Sequence, residues 1–259
     1  MEKGNGVSII LAVLNEEDNV QLILNSISDL INTHNLTQLN EVVFVDDGSN
    51  DDTISIIEKN KDINHPFIIK LVKRTVKMGL VDAHIVGARS ASNERIIIMD
   101  ADLQHPVSCI PKLIKESENG YNLIIASRYI RGGQNNWTPM RGLISRVAVS
   151  ISHFFITSSR KVKDPISGYF LTTKRLISTL YPYNNSYKLL LYILSFYRDI
   201  QIVEIPFKMR DREKGTSKIV NKGLGFTIQF MVEIIRYYKN TQKLGISSKY
   251  NDLSNNQSY

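Results

Sequence analysis

The stretch Ile96-Ile97-Ile98-Met99-Asp100-Ala101-Asp102-Leu103-Gln104-His105-Pro106 decides how the rest of the chain is read. Four apolar residues bounded by charge on both sides are too few for a helix and predict a short buried strand. The strand delivers two carboxylates, one residue apart, at its C-terminal end. In an open α/β sheet that end faces the crevice where ligands bind. Asp100, Asp102 and the amide of Gln104 offer hard oxygen ligands within five residues, suited to Mg2+ or Mn2+ carrying substrate phosphates. An acidic turn closing a strand would read the same way, so the pattern needs support from elsewhere.

Toward the N-terminus, the continuous apolar run Val7 to Val13 predicts a central parallel strand. Asn15-Glu16-Glu17-Asp18 places carboxylates to cap a helix whose apolar residues, Val20 to Ile31, recur at helical spacing. A second strand, Val42 to Val45, ends in Asp46-Asp47-Gly48-Ser49, and a carboxylate there can accept from ribose hydroxyls or a base N–H. The same residues would also serve as helix cap and turn former. A third strand (Ile68 to Val72), a basic loop around Lys77 and a helix from Val81 to Ala91 continue the alternation. The loop either touches a pyrophosphate or is simply solvated. Strand-helix alternation implies an α/β, Rossmann-like, mostly parallel sheet flanked by helices. No Gly-x-Gly-x-x-Gly follows the first strand, which argues against a dinucleotide-binding domain.

Toward the C-terminus, a helix from Val107 leads to a strand, Asn122 to Ala126, with Arg128 at its tip. Met140 to Ser158 is an amphipathic helix flanked by Arg141 and Arg146; it fits a membrane surface and an ordinary core equally. Asp164-Pro165-Ile166-Ser167-Gly168 is a compact turn. A helix (Ser186 to Tyr197) and a strand (Ile200 to Ile205) precede a basic loop in which Arg212, Ser217 and Lys218 either clamp a phosphate or form a solvated charge run. A last helix is expected from Ile219 to Tyr238. These signals divide the chain into a catalytic domain over 1–220, an amphipathic C-terminal helix over 221–239 and a disordered polar tail over 240–259.

Composition narrows the partners. The 259 residues carry a formal charge of +7, which favours polyanions, but no basic-aromatic platform accompanies it and nucleic acid is not expected. The single cysteine, Cys109, permits no intrachain disulfide and makes a reducing compartment the default. No apolar run reaches the ~18 residues of a membrane span, and Met1 to Gly6 lacks a signal peptide's apolar region. The expectation is a peripheral protein on the cytoplasmic face of a membrane.

In order along the chain, several motifs resemble the family 2 glycosyltransferases of GT-A (nucleotide-diphospho-sugar transferase) fold, and more narrowly those acting on dolichyl or polyprenyl phosphate. They are Leu-Asn-Glu-Glu at 14–17, Val-Asp-Asp-Gly-Ser at 45–49, Met-Asp-Ala-Asp-Leu-Gln-His-Pro at 99–106 and Ser-Arg-Tyr with Gly-Gly at 127–133. Arg-Gly-Leu-Ile-Ser-Arg at 141–146, Asp-Pro-Ile-Ser-Gly-Tyr at 164–169, Tyr-Lys-Leu-Leu-Leu at 187–191 and Glu-Ile-Pro-Phe-x4-Arg-x-x-Gly-x-Ser-Lys at 204–218 continue the series. The resemblance implies a metal on Asp100, Asp102 and Gln104. It implies a nucleotide sugar held by Asn15, Glu16, Asp46, Asp47, Lys77, Asp100 and Ala101. It implies an acceptor phosphate received by Arg128, Arg141, Arg212, Ser217 and Lys218, with Asp102, Arg128 and Asp164 closest to the chemistry.

The implied reaction is an inverting transfer of a hexose, from GDP-mannose or another donor such as UDP-glucose, to a polyprenyl phosphate. A phosphate monoester has a second pKa near ~6 and is largely ionised at neutral pH, so it needs positioning more than a base. A hydroxyl on a glycan or glycolipid would instead need a carboxylate base, for which Asp164 is the candidate. A non-catalytic nucleotide- or membrane-binding protein is the alternative of another class. The chain departs from the family where Ala12-Val13-Leu14 replaces Pro-Thr-Tyr and where Tyr192 replaces a glutamate. Members of this short type reach the membrane through a small anchoring subunit or through their own amphipathic helices.

Overall fold

The computed structural model describes residues 6–76, 78–181, 186–210 and 223–244, with side chains of the last helix described over 229–239. Lys77, Arg212, Ser217 and Lys218 lie outside the described residues. So does the chain beyond 244.

Seven strands, β1 (Val7–Val13), β2 (Leu39–Asp46), β3 (Ile68–Lys73), β4 (Arg95–Ile98), β5 (Leu123–Ser127), β6 (Phe170–Thr173) and β7 (Ile202–Pro206), form one sheet in the order β3-β2-β1-β4-β6-β5-β7. All neighbours are parallel except β6, which runs antiparallel to both β4 and β5. Among the described residues eight α-helices accompany them: α1 (Glu17–His34), α2 (Thr53–Lys61), α3 (Leu80–Ser90), α4 (Ile110–Glu118), α5 (Pro139–Phe155), α6 (Lys174–Ser178), α7 (Leu189–Phe196) and α8 (Gly223–Leu244).

The apolar runs are buried on both faces, and period-two alternation divides them between two cores. Ile9, Leu11, Val42, Phe44 and Ile97 pack with α1 and α4 on one side. Ile10, Val43, Val45, Ile96 and Ile98 pack with α3, α7 and α8 on the other. The register sets the crevice. Val13 lies opposite Asp46, so β1 and β2 end together, whereas β4 stops opposite Ile10, three residues before β1 ends. The Asp100 loop therefore leaves the sheet beside a strand that continues past it.

Several boundaries differ from expectation. β2 begins at Leu39 instead of Val42, because the polar Glu41 that interrupts the apolar run is buried and satisfied. Lys70 Nζ lies 2.7 Å from its carboxylate, the backbone N–H of Ser92 donates at 2.8 Å, and Ser8 also donates. α7 starts three residues late, at Leu189. α8 runs on to Leu244, past the Tyr238 end read from its apolar pattern. The carboxylates after β1 do not cap α1: its N-cap Glu16 makes no side-chain capping bond. α5 is turned inside out relative to a core helix. Ser145 and Ser152 are its buried residues, while Met140, Leu143, Ile144, Val147 and Phe154 are exposed.

Candidate active site at the strand tips

The tips of β1 and β2 are joined by a reciprocal ladder of local bonds. The Asn15 N–H donates to Ser49 Oγ at 2.9 Å, and the Asn50 N–H donates back to Asn15 Oδ1 at 2.9 Å. The Glu16 N–H donates to Thr53 Oγ1 at 2.8 Å, and Glu17 Oε2 accepts the Asp52 N–H at 2.8 Å. The residues expected to cap a helix thus tie two loops into one rim. Asn15 supports this with a left-handed φ of 53°, a conformation its short amide side chain tolerates.

The two carboxylates at the end of β2 divide their work. Asp46 is buried and accepts from the N–H of Gly48 at 2.8 Å and from Ser49 Oγ at 2.5 Å, so it builds the turn. Asp47 is half-buried and takes Arg74 Nη1 at 2.8 Å. Arg74, whose side chain is only 3% exposed, also pairs with Asp82 at the start of α3. A buried guanidinium between two carboxylates fixes the floor under the β2 tip.

Leu103 bends the Asp100 loop at a left-handed φ of 62°, an uncommon conformation for a bulky residue and one that clusters at functional sites. The bend lets Asp102 Oδ1 accept the N–H of Gln104 at 3.1 Å. The Asp100 side chain stays 41% exposed. Its backbone N–H donates to His105 Nδ1 at 2.9 Å. Burial holds the His105 imidazole below its usual pKa, and an Nδ1 that accepts an N–H carries no proton. The ring is therefore neutral with its proton on Nε2, and its 3.7 Å approach to Asp100 Oδ2 is no ion pair. His105 stacks on Tyr169 at 5.0 Å, and Tyr169 Oη donates to the carbonyl of Pro106 at 3.0 Å. Gln104 ties the loop to the segment after β7: its carbonyl accepts the Arg210 N–H at 3.0 Å.

Arg128, at the β5 tip, is gripped by Asp164. Nε lies 2.8 Å from Oδ2 and Nη2 2.7 Å from Oδ1, and the Arg128 backbone N–H adds a bond of 3.0 Å. Asp164 is fully buried; its own N–H donates to Glu204 Oε1 on β7 at 3.0 Å. Bidentate geometry of this kind fixes a guanidinium in direction as well as place. Arg128 and Arg141 each lie 4.7 Å from the ring centre of Trp137, so one indole carries both guanidiniums.

The structure brings Asn15, Glu16, Asp46 and Asp47 together at one rim, and Arg128, Arg141 and Asp164 together at the β5 tip. The Asp100 loop lies on β4, between β1 and the β6–β5 pair. Sequence reasoning assigned no role to His105, Trp137, Lys188, Glu204 or Glu233, and placed Arg74 only in the basic loop that either touches a pyrophosphate or is solvated. His105, Lys188 and Glu204 lie inside quoted motifs, and Glu233 lies in none.

A mostly parallel sheet of this order with acidic tips on β2 and β4 defines a nucleotide-sugar transferase scaffold of the expected GT-A type. The glycosyl transferase family 2 model matches residues 8–180, and the chain belongs to that family. It is 34% identical over 234 residues to a dolichol-phosphate mannosyltransferase of Pyrococcus furiosus, a match covering 90% of this chain and 64% of that protein. Against the dolichol-phosphate mannosyltransferase of Mycosarcoma maydis it is 28% identical over 89% of this chain and 79% of the other. The chain thus spans a little under two thirds of the Pyrococcus relative. Glucosyl-3-phosphoglycerate synthase of Mycobacterium tuberculosis, solved with Mn2+, UDP-glucose and phosphoglyceric acid, shares the fold with a TM-score of 0.68 at 18% identity, over 91% of this chain and 80% of that one.

Proposed function

We propose that this protein transfers a hexose, foremost mannose from GDP-mannose, to dolichyl or another polyprenyl phosphate, with inversion at the anomeric carbon. The observation that carries the reading is the cation cluster at the β5 tip. Arg128 is locked by a buried carboxylate and shares an indole with Arg141, and Asp100 lies within its field. Guanidiniums aimed in this way have a use when a second phosphate must arrive beside the donor diphosphate. The names of the Pyrococcus and Mycosarcoma relatives support the same acceptor and sugar.

A hydroxyl acceptor would need a base. Asp164 is the candidate, but both of its oxygens are committed to Arg128. We therefore assign Asp164 the positioning of Arg128. The acceptor phosphate arrives already ionised and needs only to be oriented in line with the anomeric carbon and screened.

Asp100, Asp102 and Gln104 would hold a divalent cation, Mg2+ or Mn2+. The donor set is of hard oxygens, which suits either ion. Among the described residues no group of three His, Cys, Asp or Glu converges, so the two carboxylates and the Gln104 amide would be completed by substrate oxygens and water. Gly168 keeps the space beside Asp100 open, since a Cβ there would lie 3.7 Å from Asp100 Oδ2 and 3.4 Å from the His105 ring. When bound, the ion offsets charge on the leaving nucleoside diphosphate. Asn15, Glu16 and Asp47, at the rim, hold the nucleoside, and Asp46 shapes their turn.

The lipid end of the acceptor is met by the outer face of α5 together with Val232, Ile235 and Tyr238 of α8, all exposed and apolar. Arg141 and Arg146 flank the face, as expected for a helix lying on an anionic cytoplasmic membrane surface. No described helix is long and apolar enough to cross a membrane. The test is incubation with a panel of nucleotide sugars, Mg2+ or Mn2+ and polyprenyl phosphate in vesicles. A sugar-1-phosphoryl lipid of inverted configuration is expected, and no product from any donor would refute the reading.

A further inference from the structure

β4 is only four residues long, and the last bond to its neighbour runs from the Met99 N–H to the Ile10 carbonyl at 3.5 Å. The Asp100 N–H is the first donor past the sheet. The side chain of His105 meets it, with Nδ1 accepting at 2.9 Å. That bond closes Asp100 to His105 into one loop with Asp102 inside it. Leu103 makes the reversal at its left-handed φ of 62°, and the Gln104 N–H bond to Asp102 Oδ1 tightens it from within.

The ring that closes the loop is itself held from two other elements. His105 is 4% exposed. It stacks on Tyr169, just before β6, with planes 22° apart, and meets Phe207, just after β7, edge-on at 5.8 Å. Tyr169 and Phe207 meet edge-on in turn, at 5.7 Å. The Pro106 carbonyl accepts both Tyr169 Oη and the Cys109 N–H, at 3.0 and 3.1 Å, which anchors the exit of the loop. Both supporting rings hang from β5: the Ala126 N–H donates to the Tyr169 carbonyl at 3.0 Å, and the Phe207 N–H to the Ser127 carbonyl at 3.1 Å. The next residue on that strand is Arg128. Packing alone would accept any flat ring at 105. Only an acceptor at the Nδ1 position satisfies the Asp100 N–H, so the two roles of the side chain are separable.

We propose that His105 is the positioning residue of the metal loop: clamped by Tyr169 and Phe207, it fixes the Asp100 backbone so that Asp100 and Asp102 face one cation. The inference rests on the metal reading above and adds what shapes the ligands. Outer partners that orient ligands in this way are worth about 10- to 100-fold in metal affinity. Because the clamp hangs from β5, it also sets the ion and Arg128 at one fixed separation, as an in-line displacement requires.

The test separates the acceptor from the ring. Mn2+ alone is titrated into the full chain, without nucleotide or lipid, and the free ion is followed by electron paramagnetic resonance. His105→Phe keeps a ring to stack but offers no acceptor, and should bind Mn2+ about 10- to 100-fold more weakly. His105→Asn, whose amide oxygen can stand where Nδ1 stands, loses the stack yet should stay within about 3-fold of wild type. Should His105→Phe not fold, His105→Gln, whose amide reaches the Nε2 position instead, should show the same loss. Equal affinities, or weak binding by Asn with tight binding by Phe, would overturn the proposal, since affinity would then ignore the acceptor or follow the packing. A wild-type protein that binds no Mn2+ fails the metal reading instead. Hydrogen exchange then decides the inference alone: the Asp100 amide should exchange about 10-fold faster in His105→Phe than in wild type or His105→Asn, and equal rates overturn it.

Discussion

The rim at β1 and β2 and the flank at β5 are built on different principles. At the β2 tip, Asp46 is satisfied within its own turn by Gly48 and Ser49. Asp102 with Gln104 follows the same rule on β4. At the flank, every important bond joins distant parts of the chain: Arg128 to Asp164 across 36 residues, Asp164 to Glu204 across 40, and Tyr187 to Glu233 across 46. A locally built site can be formed by a short motif alone. A flank assembled from five segments can be tuned without touching the donor side, which suits a scaffold that keeps one donor chemistry and changes acceptors.

The first way to break this contrast is at the donor. Asp102→Ala should abolish transfer, by at least about 1000-fold in kcat, while circular dichroism and the melting profile stay near wild type, because the bond Asp102 accepts from the Gln104 N–H lies within its own turn. Chelation with EDTA should mimic it and be reversed by Mn2+ or Mg2+. A melting temperature that fell sharply would mean that Asp102 is structural.

At the flank, the same kind of change should damage stability and activity together. Asp164→Ala leaves a buried guanidinium without its partner, a loss of about 3–5 kcal/mol on unfolding by denaturant. The acid limb of the kcat profile in Asp164→Asn, measured on whatever activity remains, should match wild type if the residue only positions Arg128. A limb that disappears would restore the base.

His84, on α3 beside Arg74, sharpens the contrast on the donor side. It is buried, neither ring nitrogen has a hydrogen-bond partner among the described residues, and its pKa is lowered to about 4, first by burial and then by the Arg74 charge. The unfolded chain binds its proton below about pH 6.5 and the native protein only below about 4. Stability should therefore fall as pH drops through that window, by up to about 3 kcal/mol. His84→Phe should flatten this part of the stability–pH curve; an unchanged slope would assign it to other groups. The smallest effect expected is from Trp137→Leu. Losing two cation–π contacts of about 0.5–1 kcal/mol each should raise the acceptor KM about 5- to 30-fold and leave the donor KM unchanged.

This difference in construction also explains what could be read in the sequence. The strands of the parallel sheet and the acidic tips were legible because apolar runs and short motifs are local. β2 was read too short because Glu41 looks like a surface residue until Lys70 and Ser92 are brought to it. Glu16 and Glu17 looked like helix caps, since nothing local reveals that the 49–53 loop will meet them. Asp164 looked like a free base because its partner lies on another strand, and Glu233 carried no motif at all. The apolar face of α5 fitted core and surface alike. Only the packing of Ser145 and Ser152 inward settles which side faces out.

The central claim is that two phosphates meet between the β4 and β5 tips. It is tested most directly by offering one radiolabelled donor, with Mn2+, to polyprenyl phosphate and to the matching polyprenol in the same vesicles. The account predicts label in the phosphate lipid alone, lost on Arg128→Ala. Equal transfer to the alcohol would contradict it.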